Sequence, residues 1–94
     1  MAAYAIFIQN GVSDVEGFKT YGGLAAKARS ERLKPLAAYG AIETLEGDEA
    51  KGVVLLEFPT MDDAKAWYNS PAYQEALPHR LKSADYRVLL VQGL

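Results

Sequence analysis

Three short runs in this chain are apolar on both of their alternating faces, and this limits the fold more than any other feature. Tyr4-Ala5-Ile6-Phe7-Ile8-Gln9 places Tyr4, Ile6 and Ile8 on one face and Ala5 and Phe7 on the other. Val53-Val54-Leu55-Leu56-Glu57-Phe58 repeats the pattern, and so does Tyr86 to Gln92, where Val88 and Leu90 oppose Leu89 and Val91. Side chains alternate across a strand, so an antiparallel strand with one wet face reads apolar–polar. These three read as strands covered on both sides. With 94 residues there is room for one domain and one core, so few elements remain to do the covering.

The helical signals lie between the strands. Ser13-Asp14-Val15-Glu16 matches a capping box, with Ser13 as N-cap and Glu16 reaching back to it. Phe18, Tyr21, Leu24, Ala25 and Ala28 follow at helical spacing and predict a helix to about Arg32. Gly22-Gly23 inside it costs about 1–2 kcal/mol against alanines. The pair reads as a close approach of helix to sheet, with backbone exposed to a ligand as the alternative. Residues 33–46 read as one long strand interrupted by Pro35 and Gly40, and 47–52 as a hairpin connection. Pro59 ends the strand 53–58, and Thr60-Met61-Asp62-Asp63 opens a second helix with acids in its first turn. Ala64, Trp67 and Tyr68 form its inner stripe. Adjacent helical residues point about 100° apart, so only one of Trp67 and Tyr68 is central to a core. Ser70-Pro71 restarts a helix, with Ser70 as N-cap and Pro71 at the first helical position. Pro78 is expected to end or kink it.

The order is strand, helix, strand, strand, helix pair, strand. It predicts an α+β fold, a ferredoxin-like βαββαβ sandwich in a single domain over residues 1–94. Its antiparallel sheet would carry helices on one face. No element remains for the other face, so the apolar periodicity implies a homodimer through the open sheet face. A large apolar ligand on that face is the alternative.

Composition narrows the function. The net charge of −2 and the scattered basic residues speak against nucleic acid and anionic membranes. The densest basic run, Lys27 to Lys34, reads as a solvated helix face. There is no cysteine, which excludes thiol catalysis and cysteine-held metals, and the single histidine, His79, makes a histidine-rich metal site implausible. No run approaches a membrane span, and Met1-Ala2-Ala3-Tyr4 lacks the basic start of a signal peptide. A cytoplasmic location is the expectation. Neither a metal nor a cofactor is expected.

The chemistry-bearing residues are few. Glu57 is the one carboxylate in an apolar strand. If Phe58 packs under the helices, Glu57 points between the sheets, where it is paired with Arg80 or Arg87, hydrated, or protonated as a general acid or base. His79, beside Pro78, reads as a surface histidine or as a proton shuttle at a pocket mouth. Arg80 is the best candidate to hold an anionic substrate group, because a guanidinium matches a carboxylate fork. A pocket between sheet and helices, lined by Phe7, Tyr21, Glu57, Trp67, Tyr73, His79 and Arg80, is the expected site. Glu57 or His79 would be catalytic there, and Arg80, Trp67, Tyr73, Tyr21 and Phe7 would bind substrate.

Three stretches resemble the DUF1330 family: Val54-Leu55-Leu56-Glu57-Phe58-Pro59-Thr60, the run Trp67-Tyr68-Asn69-Ser70-Pro71-Ala72-Tyr73-Gln74, and the ending Arg87-Val88-Leu89-Leu90-Val91-Gln92-Gly93. The Leu45-Glu46-Gly47-Asp48 hairpin and the opening strand fit as well. The resemblance implies a subunit of the dimeric α+β barrel superfamily and brings no established reaction. The wider superfamily includes small oxygenases of aromatic compounds, haem-degrading enzymes, and isomerases or lyases of small rings. Glu57, Trp67, Tyr68, Ser70, Pro71, Tyr73 and Arg80 carry over as family-typical positions. Pro35 and Pro78 depart from the family pattern. The expected function is binding or transformation of a small, partly apolar, anionic metabolite. A non-catalytic structural dimer, or a small oxygenase or haem-type activity, stand as alternatives.

Overall fold

A computed structural model describes residues 1–94. The elements run β1 (Ala3–Val12), α1 (Val15–Lys27), β2 (Lys34–Ala38), β3 (Gly52–Phe58), α2 (Met61–Tyr68), α3 (Pro71–Ser83) and β4 (Ala84–Gln92). The four strands form one antiparallel sheet in the order β2-β3-β1-β4. This is the ferredoxin-like α+β fold that the element order predicts, and the strand pairing gives the reason. β1 and β3 are the central strands, β1 pairing with both β3 and β4 and β3 carrying the edge strand β2.

The strand register sorts the apolar residues onto two faces. Toward the helices lie Ala3, Ala5 and Phe7 of β1 and Leu56 and Phe58 of β3, all buried together with Trp67, Tyr73 and Ala76. Phe58 and Tyr73 are among the largest fully buried side chains, and side chains of this kind contribute about 1.5–3 kcal/mol each on burial. On the other face Ile6 sits between Leu55 and Leu89, Ile8 between Val53 and Arg87, and Tyr4 between Glu57 and Val91. No element of the chain covers this face, and Leu89 and Val91 are 41% and 46% exposed.

Local chemistry moved several boundaries. Asp14, not Ser13, caps α1, accepting from the Gly17 amide at 3.2 Å, while the Ser13 hydroxyl donates to the Ser83 carbonyl. α1 stops at Lys27 rather than near Arg32, so most of the basic run lies beyond the helix. β2 holds only five residues, and residues 39–51 are irregular rather than one long strand. The short edge strand, with Lys34 and Pro35 at its start, is the form expected of a sheet edge that avoids pairing with other chains. Of the two outcomes expected at Pro78, an end or a kink, the end does not occur, and α3 runs on to Ser83. Its ring lies on the exposed side, as does Gln74, whose carbonyl lacks an intrahelical donor from Pro78. Thr60 and Ser70 cap α2 and α3 as expected, accepting from the Asp63 and Tyr73 amides.

Candidate functional site

A cavity of about 410 Å³ opens between α1 and the β2 side of the sheet, and twelve of its fifteen lining residues are hydrophobic. Volumes of this size suit a small ligand. Phe7, Tyr21, Trp67 and Tyr73, four of the residues expected at the site, all line it. β1 supplies Phe7, the inner stripe of α1 supplies Tyr21, and the two helices after β3 supply Trp67 and Tyr73. Of the neighbours Trp67 and Tyr68, Trp67 is the buried one, and its indole nitrogen donates to the Ala28 carbonyl at 2.9 Å. That bond ties α2 to the end of α1 and holds the indole 4.4 Å, centre to centre, from the Tyr73 ring. Aromatic pairs of this sort are worth about 0.5–1.5 kcal/mol beyond the area they bury.

Arg80 is placed by helical spacing. Tyr73, Ala76, Arg80 and Ser83 are the buried residues of α3, spaced three or four apart on one face. The guanidinium carbon lies 5.9 Å from the centres of the Phe7 and Tyr21 rings and 5.1 Å from that of Tyr86. Arg80 is 4% exposed, belongs to none of the three ion pairs, and its Nε has no hydrogen-bond partner. Buried guanidinium groups ordinarily find an acid, and this one is surrounded by rings instead. It does not line the cavity directly. It stands behind the Phe7 and Tyr21 rings, which do line the cavity.

The tyrosine hydroxyls of the site are paired. The Tyr21 and Tyr73 oxygens are 3.0 Å apart, and the Tyr39 and Tyr86 oxygens form a second pair that receives the Gln9 side-chain amide at Tyr86. In each phenol pair one proton is engaged and one is free to donate. Burial, then the neighbouring Tyr73, pushes the Tyr21 phenol well above the ordinary range. Burial raises Tyr73 as well, against the downward pull of Tyr21 and Arg80. Both therefore stay protonated as donors through the neutral range. The cavity wall contains no carboxylate and no histidine.

Two expected residues are not brought to this cavity. Glu57 faces the opposite side of the sheet, with Tyr4 and Lys34 as its ladder neighbours and no ion pair to Arg80 or Arg87. The cause is strand alternation. With Phe58 buried under the helices, its neighbour Glu57 cannot share that side, so a line of lining residues containing both Glu57 and Phe7 is geometrically excluded. His79 is half-buried on α3 but outside the lining, next to Arg80 and therefore turned about 100° from it. No group of three His, Asp or Glu side chains stands together to hold a metal.

The DUF1330 family model, described as a domain of unknown function, matches residues 2–94. The chain belongs to the DUF1330 family. Its fold is similar to a protein of unknown function from Rhodopseudomonas palustris, at 17% identity and a TM-score of 0.77 over 99% of this chain and 82% of that one. A protein from Thermobifida fusca, described as a dimeric ferredoxin-like protein of unknown function, aligns at 18% identity with a TM-score of 0.68 over 99% and 92% of the two chains. SnoaB, a cofactor-independent oxygenase from Streptomyces nogalater, aligns at 12% identity with a TM-score of 0.56 over 99% and 91%. No curated protein sequence matches the chain.

Within this DUF1330 chain, sequence reasoning missed Tyr39 and Tyr86. Tyr86 had a signal, since it stands two residues before Val88 and so shares the inner face of β4. Tyr39 had none. It adopts a left-handed backbone, φ 56°, which costs a non-glycine residue roughly 1 kcal/mol. Its ring packs so closely on Gly52 that a Cβ there would stand 2.8 Å away, and its hydroxyl meets Tyr86. Gly22 lines the cavity, and a Cβ on Gly22 or Gly23 would meet nothing within 4 Å. Close approach to the sheet therefore does not explain the glycine pair.

Proposed function

We propose that the chain is a homodimeric subunit that binds a small, partly apolar, anionic metabolite in the aromatic cavity between α1 and the sheet. One observation carries this reading: a buried cation without an acid stands next to an apolar cavity. A desolvated guanidinium costs several kcal/mol, and an anion placed against the Tyr21–Tyr73 hydroxyls recovers part of that. Phe7, Trp67 and Tyr73 hold a flat ring, the one free proton of the Tyr21–Tyr73 pair is donated to its anionic oxygen, and Arg80 supplies the field behind them. Because the wall offers donors and no proton acceptor, the site stabilises an anion that arrives formed. A proton role for Glu57 would be exercised at the open sheet face, and one for His79 outside the cavity wall.

The homodimer reading rests on the uncovered row Leu55, Ile6 and Leu89, and is supported by the dimeric relative from Thermobifida fusca. Sedimentation at micromolar concentration is expected to give a dimer, and a monomer there would remove it. For the ligand, a thermal-shift and calorimetric screen of small aromatic and keto acids is expected to find acids that stabilise the wild type and bind Arg80→Met weakly. Equal binding of every acid to the two proteins would overturn the reading. Oxygenase chemistry of the kind described for SnoaB is a second reading, favoured by an anion-stabilising aromatic cavity on a shared fold. Oxygen uptake on mixing with a bound aromatic substrate tests it, and no uptake with any bound ligand counts against it.

A further inference from the structure

The basic run between Lys27 and Lys34 has a place in the fold that its solvated-face reading did not anticipate. A second, smaller cleft of about 320 Å³ adjoins the aromatic cavity, and Arg29 and Trp67 belong to the walls of both. The charged side chains of this cleft are Lys27, Arg29, Arg32 and Asp63. Arg32 is held by Asp63 at 3.2 Å, and that carboxylate also accepts from Thr60. Lys27 and Arg29 form no ion pair. Three basic groups against one acid leave an excess of two positive charges here, in a chain whose net charge is −2. The aromatic cavity, unlike the cleft, carries no acid. An anion entering past Arg29 therefore meets positive charge at the mouth and again behind the tyrosines.

Resting on the reading above, we propose that the natural ligand is a dianion. A flat apolar body lies against Phe7, Trp67 and Tyr73, one oxyanion meets the Tyr21–Tyr73 hydroxyls, and a second anionic group is held by Arg29 with Lys27 beside it. Carboxylate and phosphate share the chemistry that Arg29 recognises, since both accept its fork of donors. An apolar body without the second charge would leave the two cations of the cleft facing water. An anionic group without the body would leave the aromatic wall unused. Arg29 is the one charged residue that the two walls share.

The test uses the full chain and three probes: naphthalene-2-carboxylate, naphthalene-2,6-dicarboxylate, and the analogue of the diacid in which a phosphate ester replaces one carboxylate. Trp67 is the sole tryptophan, so quenching of its fluorescence reports occupancy, and calorimetry gives the affinity. The diacid is expected to bind about fivefold more tightly than the monoacid at low salt, as suits one solvent-exposed ion pair, and to lose that preference at high salt. Arg29→Gln is expected to erase the preference. Lys19→Gln, the same charge change on α1 at a residue lining neither cavity, is expected to keep it. Compared at about pH 5, where the phosphate ester is a monoanion and both probes carry about two charges, tighter binding of the phosphate ester than the diacid assigns the cleft to phosphate, and the reverse assigns it to carboxylate. Equal binding of mono- and dianions to wild type, or a preference that survives Arg29→Gln, overturns the dianion and leaves the anion-binding cavity standing. Failure of the monoacid, the diacid and the phosphate ester to bind wild type removes both readings.

Discussion

Replacing Arg80 by methionine separates a ligand-binding role from a structural one, because the two demand opposite changes in stability. The guanidinium is 4% exposed, has no acid partner and has an unbonded Nε. Taking such a cation out of water costs several kcal/mol even after relaxation. Against this stand its positions over the Phe7, Tyr21 and Tyr86 rings at 5.9, 5.9 and 5.1 Å, each worth roughly 0.5–2 kcal/mol. The opposing terms nearly offset, with about 1 kcal/mol left on the side of desolvation. Arg80→Met is therefore expected to equal or exceed wild type by about 1 kcal/mol, or roughly 4–8 °C in Tm for a domain of this size. Affinity runs the other way. A unit charge ~7 Å from a bound anion, at an effective dielectric of ~20, contributes about 2 kcal/mol, which is about 30-fold in Kd. Urea denaturation at fixed protein concentration, since a dimer gains stability by mass action, and calorimetry with the best-binding acid read the two quantities. A loss above about 3 kcal/mol with anion affinity unchanged is the signature of removing one partner from a satisfied buried pair. That result would overturn this account of Arg80.

Three further outcomes follow from the same geometry. Leu89→Asp places a charge on the open sheet face at a site already exposed in the single subunit, so it should leave the subunit folded and convert the dimer to a monomer in sedimentation; a dimer of unchanged affinity would move the interface elsewhere. Gly23→Ala adds a methyl group that meets nothing within 4 Å in mid-helix, and should stabilise by about 0.5–1 kcal/mol, visible as a higher urea midpoint; a lower midpoint would show that α1 needs the glycine. Burial raises the Tyr21 and Tyr73 phenols above their ordinary 10.0. The folded chain then keeps protons that the unfolded chain releases, so stability present below that value is lost as pH climbs past it. The slope approaches about 2.7 kcal/mol per pH unit for the pair. A urea midpoint that stays flat between about pH 9 and about pH 11 would contradict this linkage.

Much of the fold was legible because it rests on periodicity and on cap chemistry, both local. The double-faced strands, the Thr60 and Ser70 caps and the order of elements needed no tertiary information. The failures share a cause. Ser13 and Asp14 are both good N-caps, and the docking of Ser13 onto the Ser83 carbonyl, seventy residues on, decided between them. Pro78 reads as a helix end or a kink, and the packing of Tyr73, Ala76, Arg80 and Ser83 on the inner face decides against the end by carrying the helix through it. Had that stripe been extended past the proline, Arg80 would have read as buried.

Periodicity and composition were enough to establish that an apolar sheet with one uncovered face would form and that thiol chemistry was excluded, and they singled out Glu57, His79, Arg80 and a set of aromatics as candidates. Which of these residues meet was left to the packing of the elements. Alternation sends Glu57 to the face opposite Phe7, a rotation of about 100° along the helix separates His79 from Arg80, and a left-handed Tyr39 brings a hydroxyl to Tyr86 across forty-seven positions of chain. Composition and spacing specify which groups are present and which side of an element each occupies. Distance between groups far apart in sequence is set by how strands pair and helices dock, and the cavity beside Arg80 is a product of that pairing.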